Sequence, residues 1–159
     1  MNERIELANG SVAWSPCHIG QRLQIGPNCS IGALAHIGRD VTIGERSRIQ
    51  GGAYIADRTE VGSNVFIGPN ATILNDRYPP SRDSSKWTPV KVLEGVVIGG
   101  GATILPGLTI GENAVLGAGA TLTKNIPANQ VWVGNPAKYL TTREQYEQKG
   151  GRMHDEEGG

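Results

Sequence analysis

A six-residue period runs through most of the 159-residue chain. Counted in sixes from Leu7, the first positions read Leu7, Ala13, Ile19, Ile25, Ile31, Ile37, Ile43, Ile49, Ile55, Val61, Ile67 and Ile73. The register breaks for 13 residues and resumes at Val92, Ile98, Ile104, Ile110, Leu116 and Leu122. Seventeen of these 18 positions are Leu, Ile or Val, so the period dominates what the chain can fold into. The second position is Gly in 10 of 18, and the fourth is Gly, Asn or Asp in 13 of 18. The residues at the fourth position tolerate positive φ, which places a turn in every repeat. The fifth position is small or apolar in all repeats but one, the exception being Arg77 at the edge of the break.

A turn every six residues leaves room only for very short strands, and no 3.6-residue periodicity competes with it. A parallel β-helix satisfies these facts. Each coil has three short strands and three corners, 18 residues in all. The aliphatic first position is expected to point inward at every corner, and the small fifth position fills the remaining axial space. At a strand spacing of about 4.8 Å, six coils make a prism roughly 29 Å tall. Its core must come from Ile, Val, Leu and Ala, because aromatic residues are only 5% of the chain, with a single Phe. Cys17 and Cys29 both fall at fifth positions with no metal or redox spacing, and read as buried small hydrophobes. Repeat folds need capped ends. Residues 139–148 can supply a capping helix, begun by Thr141 or Thr142 with Glu144 in its first turn. The last ten residues read as a disordered tail. The chain thus divides into a β-helix domain over 1–138, with a loop inserted at 79–91, and a helix and tail over 139–159.

Fifteen basic and fifteen acidic residues cancel, which argues against binding nucleic acid or anionic membranes through bulk charge. No apolar run approaches the ~20 residues needed to span a bilayer. The start, MNERIELANG, carries no apolar signal-peptide core. A soluble, cytoplasmic protein is expected. His18 and His36 are 18 residues apart, so they should stack at the sixth position on one corner, in the N-terminal coils and far from the break. With His154 in the tail, two prism histidines are too few for a zinc site, and no metal is expected.

Hexads of the form I-G-x-N-x-x and I-G-x-G-A-x, from residue 7 to about 140, resemble the left-handed β-helix, or hexapeptide-repeat, acyltransferases. The resemblance implies a left-handed coil, an exception to the right-handed crossover rule that periodicity leaves open. It also implies a homotrimer with active sites between subunits and acetyl-CoA, or another acyl-CoA, in the groove between neighbouring prisms. The segment 98–140, ending V-G-N-P-A-K-Y-L, is similar to the CoA-binding end shared by many members. Gly101-Ala102 and Gly119-Ala120 lie one coil apart on one face there, where absent side chains would let a pantetheine arm lie against the backbone. Lys124 and Lys138 stand beyond, placed for the CoA phosphates. The segment 68–91, with N-D-x-Y-P opening the break, resembles the nucleotide-linked 3-amino-sugar N-acetyltransferases, which act on dTDP- or UDP-sugars for surface polysaccharides such as lipopolysaccharide.

Amide formation from a thioester needs a neutral amine, a positioned carbonyl, donors for the developing oxyanion and a proton sink; positioning and oxyanion stabilisation can carry much of the rate. Asn75 and Asp57 are 18 residues apart and so should project from adjacent coils about 4.8 Å apart. With Asp76 they would form a cluster of two carboxylates and an amide beside the loop, able to hold an ammonium-bearing sugar and accept its proton. The resemblance implies the same role, while turn chemistry alone also accounts for Asn and Asp at such positions. The polar loop carries Arg82, Lys86 and Trp87, candidates for contacting the nucleotide. O-acetylating relatives use a His base, as do several amine-acetylating members; a His beside the loop is missing here, and because an alcohol needs deprotonation while a neutral amine does not, an amine acceptor is favoured. An O-acetyltransferase of a sugar or small alcohol, and a non-catalytic β-helix assembly protein, are the alternatives.

Overall fold

The computed structural model describes the backbone of residues 1–157 and the side chains of residues 1–150. The chain winds as a left-handed parallel β-helix with three flat faces. Each strand of the repeat is two residues long, as in Ser30–Ile31, His36–Ile37 and Thr42–Ile43. Face one carries the strands ending in Ile31, Ile49, Ile67, Ile98 and Leu116; face two those ending in Ile19, Ile37, Ile55, Ile73, Ile104 and Leu122; face three those ending in Ile25, Ile43, Val61, Val92 and Ile110. Equivalent residues pair in register between coils, Ile37 with Ile55 and Ile55 with Ile73.

The first hexad position therefore lies within a strand and points inward from a flat face, not from a corner as the periodicity suggested. Ile31, Ile37, Ile49, Ile55, Ile67 and Ile73 are all less than 2% exposed. Full burial of such a side chain contributes about 1.5–3 kcal/mol, so the aliphatic ladder is the main source of stability. The corners lie at the third and fourth positions. Arg22, Leu34, Arg46 and Arg58 break the Gly/Asn/Asp rule there yet take the same left-handed conformation as Asn28 and Asn64, with φ between 55 and 66. The coil geometry overrides a local cost of roughly 1–2 kcal/mol at each. Second-position glycines have a different reason: a Cβ on Gly99 would sit 2.3 Å from the backbone N of Ala118 in the next coil. Cys29 is 2% exposed and Cys17 is half-buried in the first coil.

Both ends are closed on face one. Arg4–Glu6 pairs antiparallel with Val12–Trp14. At the other end Gln130–Gly134 adds a seventh parallel rung, and Ala137–Thr142 turns back antiparallel upon it. Residues 139–142 are thus strand, drawn into the hairpin by pairing of Tyr139 with Trp132, and the helix begins at Arg143, four residues after 139 and directly behind Thr142, one of its two expected starters. It runs over Arg143–Glu157, so residues 150–157 of the expected tail continue the helix, and residues 158 and 159 lie outside the described residues. Thr142 caps it, its Oγ1 accepting from the Gln145 N–H at 3.2 Å. The Arg143 guanidinium donates to the carbonyls of Gly95 and Asn113, which fixes the helix start to a corner of the prism.

The inserted loop interrupts a hexad from within. Val90 is fully buried and Lys91–Val92 is already strand, so Val90 fills the inward fifth position that Arg77 could not occupy. The excursion accordingly spans residues 76–87, earlier than the expected 79–91. Its base is closed by the Thr88 N–H donating to the Asn75 carbonyl at 2.7 Å. Among the described residues no helix is long and apolar enough to cross a membrane.

Candidate functional site

The loop leaves the corner between faces two and three. On that corner fourth-position N–H groups donate to third-position carbonyls one coil down, Asp40 to Gln21 at 2.9 Å and Arg58 to Arg39 at 2.8 Å. At the loop the chain departs before it can repeat the bond. The side chain of Asn75 supplies it instead, Nδ2 donating to the Asp57 carbonyl at 3.3 Å. Asn75 is therefore the hinge on which the loop leaves the prism. This second duty could not be read from residue type and spacing alone.

Asp57 and Asp76 flank that hinge but do not form the expected cluster. The Asp57 carboxylate turns to the coil below, accepting from the Arg39 backbone N–H at 2.9 Å and pairing with its guanidinium at 2.9–3.0 Å. Asp76 turns into the loop and accepts from the Ser81 and Tyr78 N–H groups. Those bonds, the Ser81 one foremost, hold the Asp76 carboxyl below the usual carboxylate range, and the Lys86 charge adds to the effect. Each carboxylate has a nearer cation or N–H than the other carboxylate's site offers. Asp76 lines the groove beside the loop, and Asp57 is linked to it through the Asn75 hydrogen bond.

That groove was not anticipated. Leu74, Leu105 and Leu108, with Pro106 and the loop residues Asp76, Arg77 and Pro79, line a cavity of about 210 Å³. It meets a second one of about 330 Å³ at Thr123, lined by Lys124, Trp132, Pro136, Ala137, Lys138 and Tyr139. Two adjoining cavities, sharing Thr123 as a wall, thus follow the corner as a channel in two parts, the loop part lined mostly by leucine and proline with Asp76 and Arg77, the hairpin part carrying Lys124 and Lys138. The sequence does carry a signal for it. Up this corner the second position reads Gly20, Gly38, Ala56, Leu74, Leu105, Thr123, so the loss of glycine marks where side chains line a groove.

Lys124 and Lys138 both line the hairpin cavity. Gly101 and Gly119 lie elsewhere, on the corner between faces one and two, with φ of 69 and 68 and open space where a Cβ would stand. Ala102 and Ala120 do not share that exposure. They are 0% and 1% exposed, with their methyls in the core. Their main-chain groups are also taken, the Ala102 carbonyl accepting from Thr72 N and the Ala120 carbonyl from Thr103 N. The expectation that these alanines offer a bare surface to a cofactor is corrected: the fifth position points inward, so only the glycines present backbone to a ligand.

Arg58 ties the loop down. Its guanidinium donates to the Ser84 carbonyl at 3.0 Å and lies 5.8 Å from the Trp87 ring centre. Trp87 is half-buried under that contact, while Arg82 and Lys86 stand exposed on the loop. Trp87 thus serves first to anchor the loop. Replacing Arg58 by Ala should speed tryptic cleavage after Arg82 and Lys86 by about tenfold, the scale of one exposed cation–π contact plus one charged hydrogen bond. Unchanged cleavage would show that the loop is held by other contacts.

The histidines are closer to the site than their spacing suggested. The sixth position faces outward from a flat face, so His18, His36 and Tyr54 stack on face two, with ring centres 4.4 and 4.6 Å apart and planes within 11°. His36 is pushed below its ordinary pKa, first by burial and then by the His18 charge, against an opposing pull from Asp57. Among the described residues no group of three or more His, Cys, Asp or Glu is placed to hold a metal ion.

Residues 22–57, 40–75 and 89–124 match the family described as bacterial transferase hexapeptide (six repeats), and together these stretches cover more than half the chain. The chain belongs to that family. The galactoside O-acetyltransferase of Lactococcus lactis is 37% identical over 79 residues, which is 46% of this chain and 38% of that protein. The 2,3,4,5-tetrahydropyridine-2,6-dicarboxylate N-acetyltransferase of Staphylococcus aureus is 34% identical over 77 residues, 48% of this chain and 30% of that protein. The chain therefore spans well under half the length of these curated relatives. Among solved structures, a histidine-to-alanine variant of GDP-perosamine N-acetyltransferase from Caulobacter crescentus, in complex with CoA and GDP-perosamine, superposes with a TM-score of 0.71 at 24% identity. That match covers 82% of this chain and 56% of the other, and it shows the shared fold.

Proposed function

We propose that this member of the hexapeptide family is an acetyl-CoA-dependent N-acetyltransferase acting on the amino group of a nucleotide-linked sugar, of the dTDP- or UDP-3-amino-sugar class used for surface polysaccharides. The observation that carries this reading is the two-part channel, with Asp76, the chain neighbour of Asn75, lining one end and Lys124 and Lys138 lining the other. An acyl-CoA has matching chemistry, a long flexible arm with phosphates at one end and the thioester at the other. The thioester would then meet the acceptor beside Asn75. The amine nitrogen attacks the thioester carbon, the tetrahedral intermediate collapses, and the C–S bond breaks. The proton lost by nitrogen passes to the departing thiolate, whose conjugate thiol has a pKa near 8.5. None of the residues lining either half of the channel is a histidine. An amine that arrives neutral needs no strong base, so carboxylates that steer and orient it suffice.

The glycines Gly101 and Gly119 lie one face away from the lysines. A neighbouring copy laid along the prism would bring its own bare corner against this channel, which supports a homotrimer with sites between subunits. The expected mass is three times 16.9 kDa in sedimentation, and a monomer with full activity would remove the shared groove from the account. A soluble cytoplasmic enzyme fits acyl-CoA and nucleotide-sugar substrates, both cytoplasmic metabolites in this reading.

One observation favours a second reading. The depressed pKa of His36 leaves a neutral imidazole at pH 7, and Asp57 lies near enough to act on its titration. Such a pair could serve an alcohol acceptor, the substrate type named for the Lactococcus lactis relative. Product chemistry separates the two. Acetylated product treated with alkaline hydroxylamine keeps its acetyl group if the bond is an amide, as expected, and loses it if the bond is an ester.

A further inference from the structure

The stacked rings on face two end in a shelf. Tyr54 pairs in register with His36 below and Thr72 above. Its ring lies nearly parallel to the imidazole of His36, 4.6 Å away, and so stands out from the face with its plane across the prism axis. The stack stops there, because Thr72, Thr103 and Thr121 continue the ladder with side chains that reach only one atom beyond Cβ. The outer half of the tyrosine ring projects past Thr72, and Tyr54 is 42% exposed. An aromatic ring held flat by two others, with its upper surface clear of the residue above, is a platform for a further planar group. The rings beneath fix its orientation, so little side-chain freedom is lost when a ligand stacks on it.

The shelf stands beside the reacting corner. Tyr54 precedes Asp57 by three residues in the same coil, roughly 10 Å at strand spacing. Asn75 hydrogen-bonds to Asp57, and the loop with exposed Arg77 and Arg82 rises from the same corner. We propose that Tyr54 is the stacking platform for the nucleobase of the acceptor, with the diphosphate spanning from the shelf toward the loop cations and the sugar amine reaching Asn75. This rests on the reading of the acceptor as nucleotide-linked, and it assigns a base-binding role to a residue outside the channel. The adenine of acetyl-CoA belongs to the other end, beside Lys124 and Lys138.

The test is calorimetric titration of UDP, dTDP, GDP and acetyl-CoA into the wild-type protein, Tyr54→Ala and Tyr54→Phe, with the mass of each variant taken by sedimentation. At least one nucleoside diphosphate binds the wild type. Tyr54→Ala weakens that binding by about 5- to 100-fold, the range for a lost base–aromatic stack, while Tyr54→Phe keeps it within roughly twofold. Acetyl-CoA binding and assembly mass stay unchanged in both variants. Tyr54→Ala binding the nucleotide as the wild type does would overturn the platform alone and leave the acceptor class standing. A loss of assembly mass in Tyr54→Ala would overturn it too, by making the ring a subunit contact. A wild type that binds none of the three nucleotides would overturn the nucleotide-linked reading itself, and the platform with it.

Discussion

Ala120→Trp should yield no folded protein, whereas Gly119→Asn, one residue away, should fold normally and bind acetyl-CoA poorly. The difference follows from the hexad. Ala120 is 1% exposed and fills the axis of the prism. Even a few extra methylenes in a close-packed core cost about 1–3 kcal/mol, and an indole exceeds any void the coil could open. Gly119 is at the fourth position, with φ of 68 and open space outside it. Asn adopts that conformation at Asn64, Asn70 and Asn113 of this same chain, so the backbone will accept it. Its side chain then occupies the surface assigned to the pantetheine arm, and the KM for acetyl-CoA should rise about tenfold with little change in the acceptor's. Circular dichroism melts check the first expectation and steady-state kinetics the second. A folded, soluble Ala120→Trp would mean that the inward register is wrong. Unchanged acetyl-CoA kinetics in Gly119→Asn would place the cofactor on another corner.

Turnover should fall by roughly 10²–10⁴ in Asn75→Ala and in Asp57→Asn, the range for lost positioning or acid–base help. In the proposed reaction Asn75 would act twice, orienting the reacting groups and replacing the corner hydrogen bond from which the loop is hung. Asp57 acts with Arg39, so its amide variant also leaves a guanidinium without its counter-charge. His36→Asn should retain most of the activity, because an amine needs no imidazole. Rates are compared at saturating acetyl-CoA. A dead His36 variant beside near-normal Asn75 and Asp57 variants would transfer the chemistry to the His36–Asp57 pair and make the acceptor an alcohol.

The fold was largely legible because one repeated constraint sets it. Leu, Ile or Val at 17 of 18 first positions and a recurring left-handed corner at the fourth leave a three-sided coil as the solution, and the buried ladder from Ile31 to Leu122 follows it. The hand came from the family resemblance, since a six-residue period reads the same in either sense. The site was less legible. Asp57, Asn75 and Asp76 do gather near the loop, yet spacing does not show which way a side chain turns, and Arg39 and the Ser81 N–H claim the two carboxylates. Ala102 and Ala120 were misplaced because Gly-Ala was taken as one surface, although the corner turns between the two residues. Arg77 was the misread clue to the loop: a charged residue at an inward position meant that the insertion had begun before it, with Val90 completing the hexad.

The central claim is transfer of acetyl from CoA to the amine of a nucleotide-linked sugar. Its most direct test is the rate of CoA thiol release from acetyl-CoA with paired acceptors: dTDP- and UDP-linked 3-amino-sugars, and the same nucleotide sugars bearing hydroxyl at that carbon. The account predicts rapid thiol release with at least one amino-sugar and release near the background rate of hydrolysis with its hydroxyl counterpart. Equal or faster release with the hydroxyl sugars, or with a simple alcohol, would contradict it.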